Sequence, residues 1–479
     1  GAKVRWHGEG ELIELKPTEI RGVASEGMIC AANEIGLFDA FPHTEKEILD
    51  LGLAFSKELK TFKPGQSLSA FLEVEHDVIA DIEVTTNRPD AMSIVGLARE
   101  AATILQRPFI WKAPKLKEGK EKLVVHVTEK KNCARFMAIR IDGVTVGPSP
   151  WWMKRRLLST GQRPINNLVD ITNYILLELG RPMHVFDANK LQGGLSVRCA
   201  KSGETLKALD GKTYELAPHH VVVADDVAPQ SIAGIMGGEE SGVTLDTTSV
   251  IFECAVWDPV YIRRAARELN LASDSQSLFE KGLSTESCPI GIARAVELCL
   301  ELAGGTVTSH LADVQTHAYK PQTYTTTLEE VCTLMGVEIS LSEVKGTLTR
   351  LGFDVRTAGK KIHATIPWWR DHDIESGRDL IEEVARVYGY ARIPATYPPA
   401  TLPKTMERVL TLERRVRSFA ASAGYVEAYN YSFVSRELAE KAGFDAARMF
   451  HLQNPLSSDF EFMRTSLMPS MLQTVAENQ

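Results

Sequence analysis

Two proline-bearing breaks limit what this sequence can fold into. Trp111 to Lys122 is rich in Lys, Glu and Pro, and Ile393 to Pro403 reads IPATYPPATLP. Proline removes a backbone donor and pushes the preceding residue out of the helical region, so both stretches are expected to be linkers. At 479 residues the chain is also too long for one hydrophobic core. Domains run to roughly 100–200 residues, which predicts three or four.

Composition removes several classes of function. An apolar fraction of 44% and a charged fraction of 24% are ordinary for a globular protein and argue against general disorder. No apolar run approaches the roughly 18–20 residues of a membrane-spanning helix, and the opening GAKVRWHGEGEL has neither a basic leader nor an apolar stretch. The cysteines (30, 133, 199, 254, 288, 299, 332) are scattered and never spaced CxxC. That pattern argues against a disulfide framework or a thiolate zinc site, and predicts small buried hydrophobes in a reducing cytoplasm. Net charge is -8, so any RNA contact must use local patches. Three basic candidates are Lys112 to Lys131, Lys154-Arg155-Arg156 with Arg163, and Arg263-Arg264 with Arg267. Each alone also reads as a solvated face. The sequence starts without methionine in a strand-and-turn region and closes in SLMPSMLQTVAENQ, which reads as a shortened helix. Both ends are expected to be truncations.

Residues 1–36 read as short β pieces with Gly-rich turns. Residues 77–86 alternate in the strand period, with Val78, Ala80, Ile82 and Val84 on one face. Asp90 is placed to cap a helix from Ala91 to Leu105, with Ile94, Leu97, Ala98, Ala101 and Leu105 at helical spacing. A mixed α/β block follows. It holds helices near Pro150–Ser159, from Asn166 to Leu179 with Gly180 as the stop, and from Ile290 to Leu302 before Gly304-Gly305. Residues 194–253 are β-rich. Residues 318–396 read as a compact βααβ-like unit ending in a helix at about 377–388. Residues 404–479 open with a helix and pass into a strand-like run, Val426 to Phe433.

Four groups of residues can carry chemistry. In Gly180-Arg181-Pro182-Met183-His184 a helix stop and a proline fix the backbone where an imidazole emerges, although a structural histidine fits the spacing too. Gly234 to Gly242 is glycine-dense, so a ligand could approach its main chain closely, but it has neither P-loop nor dinucleotide-binding spacing and a tight turn fits as well. Glu253 lies inside the apolar strand Val250 to Ala255, where burial is costly unless the carboxylate is partnered; an edge facing water is the alternative. Asp373 precedes a helix on which Asp379, Glu382 and Glu383 share a face. That face suits Mg²⁺, or pairing with Arg378 and Arg386. No Ser-His-Asp order, HExxH or paired-carboxylate signature is present.

Taken in order, these strings resemble one family. Thr86-Asn87-Arg88-Pro89-Asp90 with Gly96-Leu97-Ala98-Arg99-Glu100 is similar to its TNRPD…GxARE signature. Arg163-Pro164-Ile165-Asn166-Asn167 through Asp170-Ile171-Thr172-Asn173-Tyr174, then Pro182-Met183-His184, resembles its editing core. Leu380 to Tyr390 (LIEEVARVYGY) resembles its acidic helix, and Asn454-Pro455-Leu456-Ser457-Ser458 with Met463-Arg464-Thr465-Ser466-Leu467 a later segment. The family is the bacterial-type phenylalanyl-tRNA synthetase beta subunit.

The resemblance implies a multidomain α+β chain. Its parts would be an OB-like remnant (1–36), an N-terminal α/β domain with linker (37–122), an α/β editing domain (123–317), a small winged-helix-like unit (318–396) and the start of a class II synthetase-like antiparallel domain (397–479). It implies a cytoplasmic assembly of two alpha and two beta subunits with tRNA(Phe) as partner and no membrane. The alpha subunit would activate phenylalanine with ATP, which this chain would not mainly bind. By the same resemblance His184 and Glu253 would be catalytic, and Gly237, Gly238, Ser273 and Ser275 would bind the mischarged substrate. Asp373, Asp379, Glu382 and Glu383 would hold one Mg²⁺, in a site open to sharing with the alpha subunit. Where the family has Thr-Asp-Ala after Gly-Leu, this chain reads Asn270-Leu271-Ala272-Ser273-Asp274-Ser275, adding a hydroxyl at 275, and Lys281 stands where Arg is usual.

Editing has a physical motive, because an apolar pocket rejects an isostere that merely adds a hydroxyl by only about 10²-fold. A second site can read that hydroxyl positively, and Glu253 is the expected reader, with Gly237 permitting close approach and His184 orienting the ester or the attacking water. Two other readings remain at this stage. One is a tRNA-binding scaffold whose pocket has decayed through the serines at 273 and 275; the other is a free-standing ester hydrolase.

Overall fold

The computed structural model describes residues 3–5, 10–41, 47–55, 63, 65–397 and 407–479. It is a mixed α+β chain of several sheets in two units, residues 1–394 and 395–479.

The centre of the first unit is built on Ser249–Trp257, a strand buried at every position. Its near-continuous apolar sequence suits an element covered on both faces. It pairs antiparallel with Cys133–Asp142 on one side and His184–Asp187 on the other. A second sheet runs in the order Met236–Gly237, Pro229–Ile232, Val221–Ala224, Leu195–Cys199, Val125–Val127, antiparallel except for the last pair. Alternation along Ser249–Trp257 divides two cores. Ile251, Ala255 and Trp257 join Phe136, Phe186, Val222 and Ile232 in the core shared with the second sheet, while Val250, Phe252, Cys254 and Val256 meet the helices Asn167–Leu179 and Ser287–Leu302. By that parity Glu253 faces the core between the sheets.

The family-like motif at 163–174 is structural here. Asn166 caps its helix by accepting from Leu168 and Val169 N–H, Asn167 ties Gly147, Thr145 and Leu302 together, and buried Asp170 accepts from Ser149 Oγ at 2.6 Å and Ile165 N–H at 2.7 Å. Gly180 ends the helix at φ 64°, a conformation glycine takes without strain.

Residues 323–388 form a three-stranded antiparallel sheet in the order Thr323–Thr327, Lys361–Thr365, Asp354–Ala358, covered by the helices Leu328–Met335, Leu341–Arg350 and Gly377–Tyr388. An ion-pair network joins this unit to the distant TNRPD-like motif. Arg88 bonds Asp90 through two nitrogens and Glu100 at 3.0 Å; Arg386 pairs with Glu100 and Glu383; Arg370 pairs with Glu383 at 2.6 Å and Asp373 at 2.5 Å. Two of the family-like strings, far apart in sequence, are thus one structural joint.

Three sequence expectations are corrected. Residues 77–86 form no strand: Val78 is 86% exposed and, among the described residues, no neighbour pairs with this stretch, so the period-two pattern has no ladder to join. Asp90 does not cap the helix after it, because Arg88 holds its carboxylate; the helix is Ile94–Ile104, capped by Ser93, and buries Val95, Gly96 and Thr103 while Ile94 and Leu105 stay exposed. Val426 to Phe433 is mostly irregular, with strand only at Phe433–Val434. Of the second proline-rich break, residues 398–403 lie outside the described residues.

Taken by itself, the second unit holds the helix Arg408–Ser422, a small antiparallel pair (Phe433–Val434 with Phe462–Met463) and the helix Met468–Glu477. Its first helix exposes Val409, Leu412, Val416 and Phe419.

Candidate functional site

The strand register puts His184 directly opposite Glu253. Such cross-strand partners place their side chains on one face with Cβ atoms roughly 4.5–5.5 Å apart. Both line a cleft with about 390 Å³ of empty space, open to solvent, shared with Gly237, Ser231, Ser275 and Phe279.

Each polar group here is costly where it stands. Glu253 is 6% exposed and has no hydrogen-bond or ion-pair partner among the described residues. Burial pushes its carboxyl up to about 8, assisted by Cys254 and opposed by the Arg181 charge. His184 is half-buried because part of it faces the cleft, yet its Nε2 is enclosed without a hydrogen-bond partner among the described residues. Burial lowers its pKa to about 4, so the ring is neutral near pH 7. Phe186, two residues along the strand, holds the imidazole edge-to-face at 4.4 Å between centroids.

Gly237 sits against that ring. A Cβ there would lie 2.3 Å from His184 Cε1 and 3.0 Å from Nε2, so any side chain would displace the imidazole. Gly238 turns away from the cleft; its Cβ would strike the Gln230 carbonyl at 2.6 Å, so its reason for being glycine is sheet packing. Ser273 also turns away, capping the helix Asp274–Phe279 by accepting from Gln276 N–H and donating to the Ile235 carbonyl at 2.8 Å. Ser275 lines the cleft. Asn270 has φ 48°, a left-handed conformation that Asn tolerates better than most residues.

Several cleft residues escaped the sequence reading. Ser231 pairs with Gly237 in register, and Met236, Ile232 and Trp257 contribute apolar wall. Behind the cleft Arg181 is fully buried. Its Nη1 donates to Ser287 Oγ at 2.9 Å, its guanidinium lies 5.2 Å from the Phe279 ring centroid, and Nε and Nη2 have no hydrogen-bond partner among the described residues. The signal available was its place in the Gly-Arg-Pro-Met-His string.

The acidic helix does not gather its carboxylates. Asp379 forms a capping box, accepting from Glu375 N–H, Ser376 N–H and Ser376 Oγ; Asp373 and Glu383 are held by arginines; Glu382 points to solvent. Among the described residues these four provide no cluster in which three ligand oxygens lie within 4.8 Å of one another. Mg²⁺ requires an octahedral set of free hard oxygens, and the arrangement seen is not one. The cluster that does meet that distance is His219, His220 and Glu268. His220 Nδ1 accepts from Ala217 N–H at 3.1 Å, so the neutral ring carries its proton on Nε2, toward Glu268, where a metal would need a lone pair.

The basic patches separate similarly. Lys154 is buried, donating to the Ala40 carbonyl at 2.7 Å over the Phe41 ring, and Arg155 and Arg156 bond Glu73 and Tyr174. Arg263, Arg264 and Arg267 stay exposed on the helix Pro259–Glu268, whose other face buries Tyr261, Ile262 and Ala265. No described helix is long and apolar enough to cross a membrane.

Comparison with known proteins matches residues 132–304 to the B3/4 domain, 324–390 to the tRNA synthetase B5 domain and 393–479 to the phenylalanyl tRNA synthetase beta chain CLM domain. The phenylalanine–tRNA ligase beta subunit of Brucella suis biovar 1 (strain 1330) is 39% identical over 481 residues, covering 97% of this chain and 57% of the relative. That of Moorella thermoacetica is 37% identical over 477 residues, covering 97% and 58%. The chain thus spans a little over half the length of these curated relatives. An N-terminal fragment of the Pyrococcus horikoshii phenylalanyl-tRNA synthetase beta subunit overlays with a TM-score of 0.37 at 19% identity, covering 64% of this chain and 85% of that one, a likeness too slight to bear on the fold.

Proposed function

The chain belongs to the phenylalanine–tRNA ligase beta-subunit family, and from that premise we propose that it hydrolyses tRNA(Phe) mischarged with tyrosine. Water adds to the ester carbonyl, the bond to the tRNA 3′ end breaks, and free tyrosine and the tRNA hydroxyl are released. The observation that carries this reading is the cross-strand pair His184–Glu253, two polar groups that face one cleft and, among the described residues, have no hydrogen-bond partner.

Glu253 reads the tyrosine hydroxyl. With its pKa near 8 it is mostly protonated at neutral pH, so it offers both an O–H donor and an acceptor oxygen to the phenol. Phenylalanine leaves both unanswered, at a cost of about 1–3 kcal/mol. His184, neutral at that pH, orients the water or ester through a ring nitrogen. Gly237 lets the imidazole and substrate close on the main chain. Ser275 adds a hydroxyl to the wall, and the Ser273 hydroxyl is engaged in capping, which speaks for a working cleft over a decayed scaffold. Gly238 acts by packing.

The same reading assigns tRNA(Phe) contact to the exposed arginines 263, 264 and 267, and assembly with a catalytic alpha subunit, in the cytoplasm, to surfaces including the exposed apolar side chains Val409, Leu412, Val416 and Phe419 of the helix Arg408–Ser422. The domain descriptions (OB-like, editing, winged-helix-like, class II-like) belong to this proposal. Mg²⁺ and ATP are used by the whole ligase; since the acidic helix does not fit Mg²⁺ in this arrangement, no step is assigned to it. Deacylation of Tyr-tRNA(Phe) tests the proposal. Glu253→Ala and His184→Ala should each slow it strongly, and full activity in both would remove the assignment.

A further inference from the structure

A second cavity in the same unit lies where the helix Ile94–Ile104, the B3/4 domain and the B5 domain meet. It has about 700 Å³ of empty space, partly open to solvent, and its lining includes Arg99, Trp111, Ser284, Trp368, Trp369 and Asp371.

Arg99 is half-buried, with its guanidinium carbon 4.0 Å from the Trp369 ring centroid and 5.3 Å from that of Phe109. Among the described residues its guanidinium makes no direct hydrogen bond or salt bridge, although Asp90 and Glu100 lie close enough to act on its charge. A guanidinium stacked on an indole with its N–H fork free is suited to a carboxylate. The same lining holds an opposite charge that is only half engaged. Asp371 Oδ2 accepts from Ser284 Oγ at 2.6 Å, but Oδ1 is 3.6 Å from His372 Nε2, too far for a hydrogen bond. The other lining carboxylates are paired, Asp90 with Arg88 and Asp373 with Arg370. Among the described residues the cavity therefore offers a cation with no direct hydrogen bond or salt bridge, a carboxylate with one oxygen hydrogen-bonded, and three indoles.

We propose that this cavity binds a free α-amino acid with an apolar or aromatic side chain, its carboxylate on Arg99, its ammonium toward Asp371 and its side chain against the tryptophans. A phosphate would meet Asp371, a simple cation would meet Arg99, and a hydrocarbon would leave both charges unanswered; a zwitterion satisfies both.

Equilibrium dialysis of the 479-residue chain against labelled phenylalanine, tyrosine, leucine and glycine tests this. Saturable binding of the first three is expected, weaker by about tenfold or more for glycine and in Arg99→Met and Asp371→Asn. Glu253→Gln, which alters only the first cleft, should leave this binding in place. Phenylalanine methyl ester and N-acetylphenylalanine each lack one of the two charges and should bind the unaltered chain about tenfold more weakly, a test that does not depend on any variant folding. The proposal is overturned by absence of saturable binding, by binding that survives Arg99→Met and Asp371→Asn but is lost in Glu253→Gln, or by equal binding of the two blocked analogues.

Discussion

Replacing Glu253 with Gln should stabilise the B3/4 domain in alkaline solution and do little in acid. In the folded chain burial raises the carboxyl from 4.5 to about 8. Below pH 4.5 the group is protonated in both folded and unfolded chains and contributes no pH-dependent cost. Between 4.5 and about 8 the folded chain holds the extra proton, so stability falls as pH rises, and above about 8 the full cost of the buried charge is present. At 1.36 kcal/mol per pH unit the difference amounts to about 5 kcal/mol as an upper bound. Gln keeps the shape and cannot ionise. Thermal unfolding of both chains at pH 5 and pH 9 measures the effect. Subtracting one chain from the other cancels titrations they share, and only the transition of this domain should be compared, since a multidomain chain need not unfold in one step. The advantage of Glu253→Gln should grow by roughly 10 °C between the two pH values, at about 2–4 °C per kcal/mol. A gap that is constant with pH, or that grows toward acid, would refute the claim that an uncompensated carboxyl sits in this cleft.

Gly237→Ala places a methyl against the His184 ring; it should cost about 1–3 kcal/mol of stability in a melting experiment and slow Tyr-tRNA(Phe) deacylation by about 10²-fold, the usual cost of misplacing a reacting group by an ångström. Because burial keeps His184 neutral down to about pH 4, the deacylation rate should have no histidine inflection near pH 6.5, and one that disappears in His184→Ala would contradict the neutral-ring role. Arg370→Met leaves the buried Glu383 with one cation and should cost about 3–5 kcal/mol in denaturant titration. Burial alone would raise the Glu383 carboxyl, but Arg386 and Arg370 overcome it and hold the pKa at about 2, so the stabilisation from this network is full above pH 4.5 and lost as pH falls toward 2. Arg370→Met should weaken that acid dependence.

Two helices were legible, Asn167–Leu179 from its Gly stop and Gly377–Tyr388 from its apolar spacing; their caps, Asn166 and the Ser376–Asp379 capping box, were not read in advance. His184 and Glu253 were each legible as residues out of place, an imidazole after a helix stop and a carboxylate in an apolar strand. That they share one site was implied by the family resemblance alone; their cross-strand pairing was not legible, because register between distant strands is fixed by tertiary packing, which spacing along the chain does not encode. The same gap explains the misses. The stretch 77–86 has a strand's alternation and no described strand beside it. The acidic helix brings Asp379 and Glu383 to neighbouring turns, but Arg370, outside that helix, captures Glu383, and the capping box takes Asp379. Arg99 matches a family string, yet only the folded chain reveals that its guanidinium makes no direct hydrogen bond or salt bridge among the described residues.

Measuring how the chain binds hydrolysis-resistant 3′-amide analogues of tyrosyl- and phenylalanyl-adenosine tests most directly whether Glu253 reads the phenolic hydroxyl. The tyrosyl analogue should bind about 10–100-fold more tightly, and Glu253→Ala should remove most of that preference. Equal affinity for both analogues in the unaltered chain, or a preference untouched by Glu253→Ala, would contradict it.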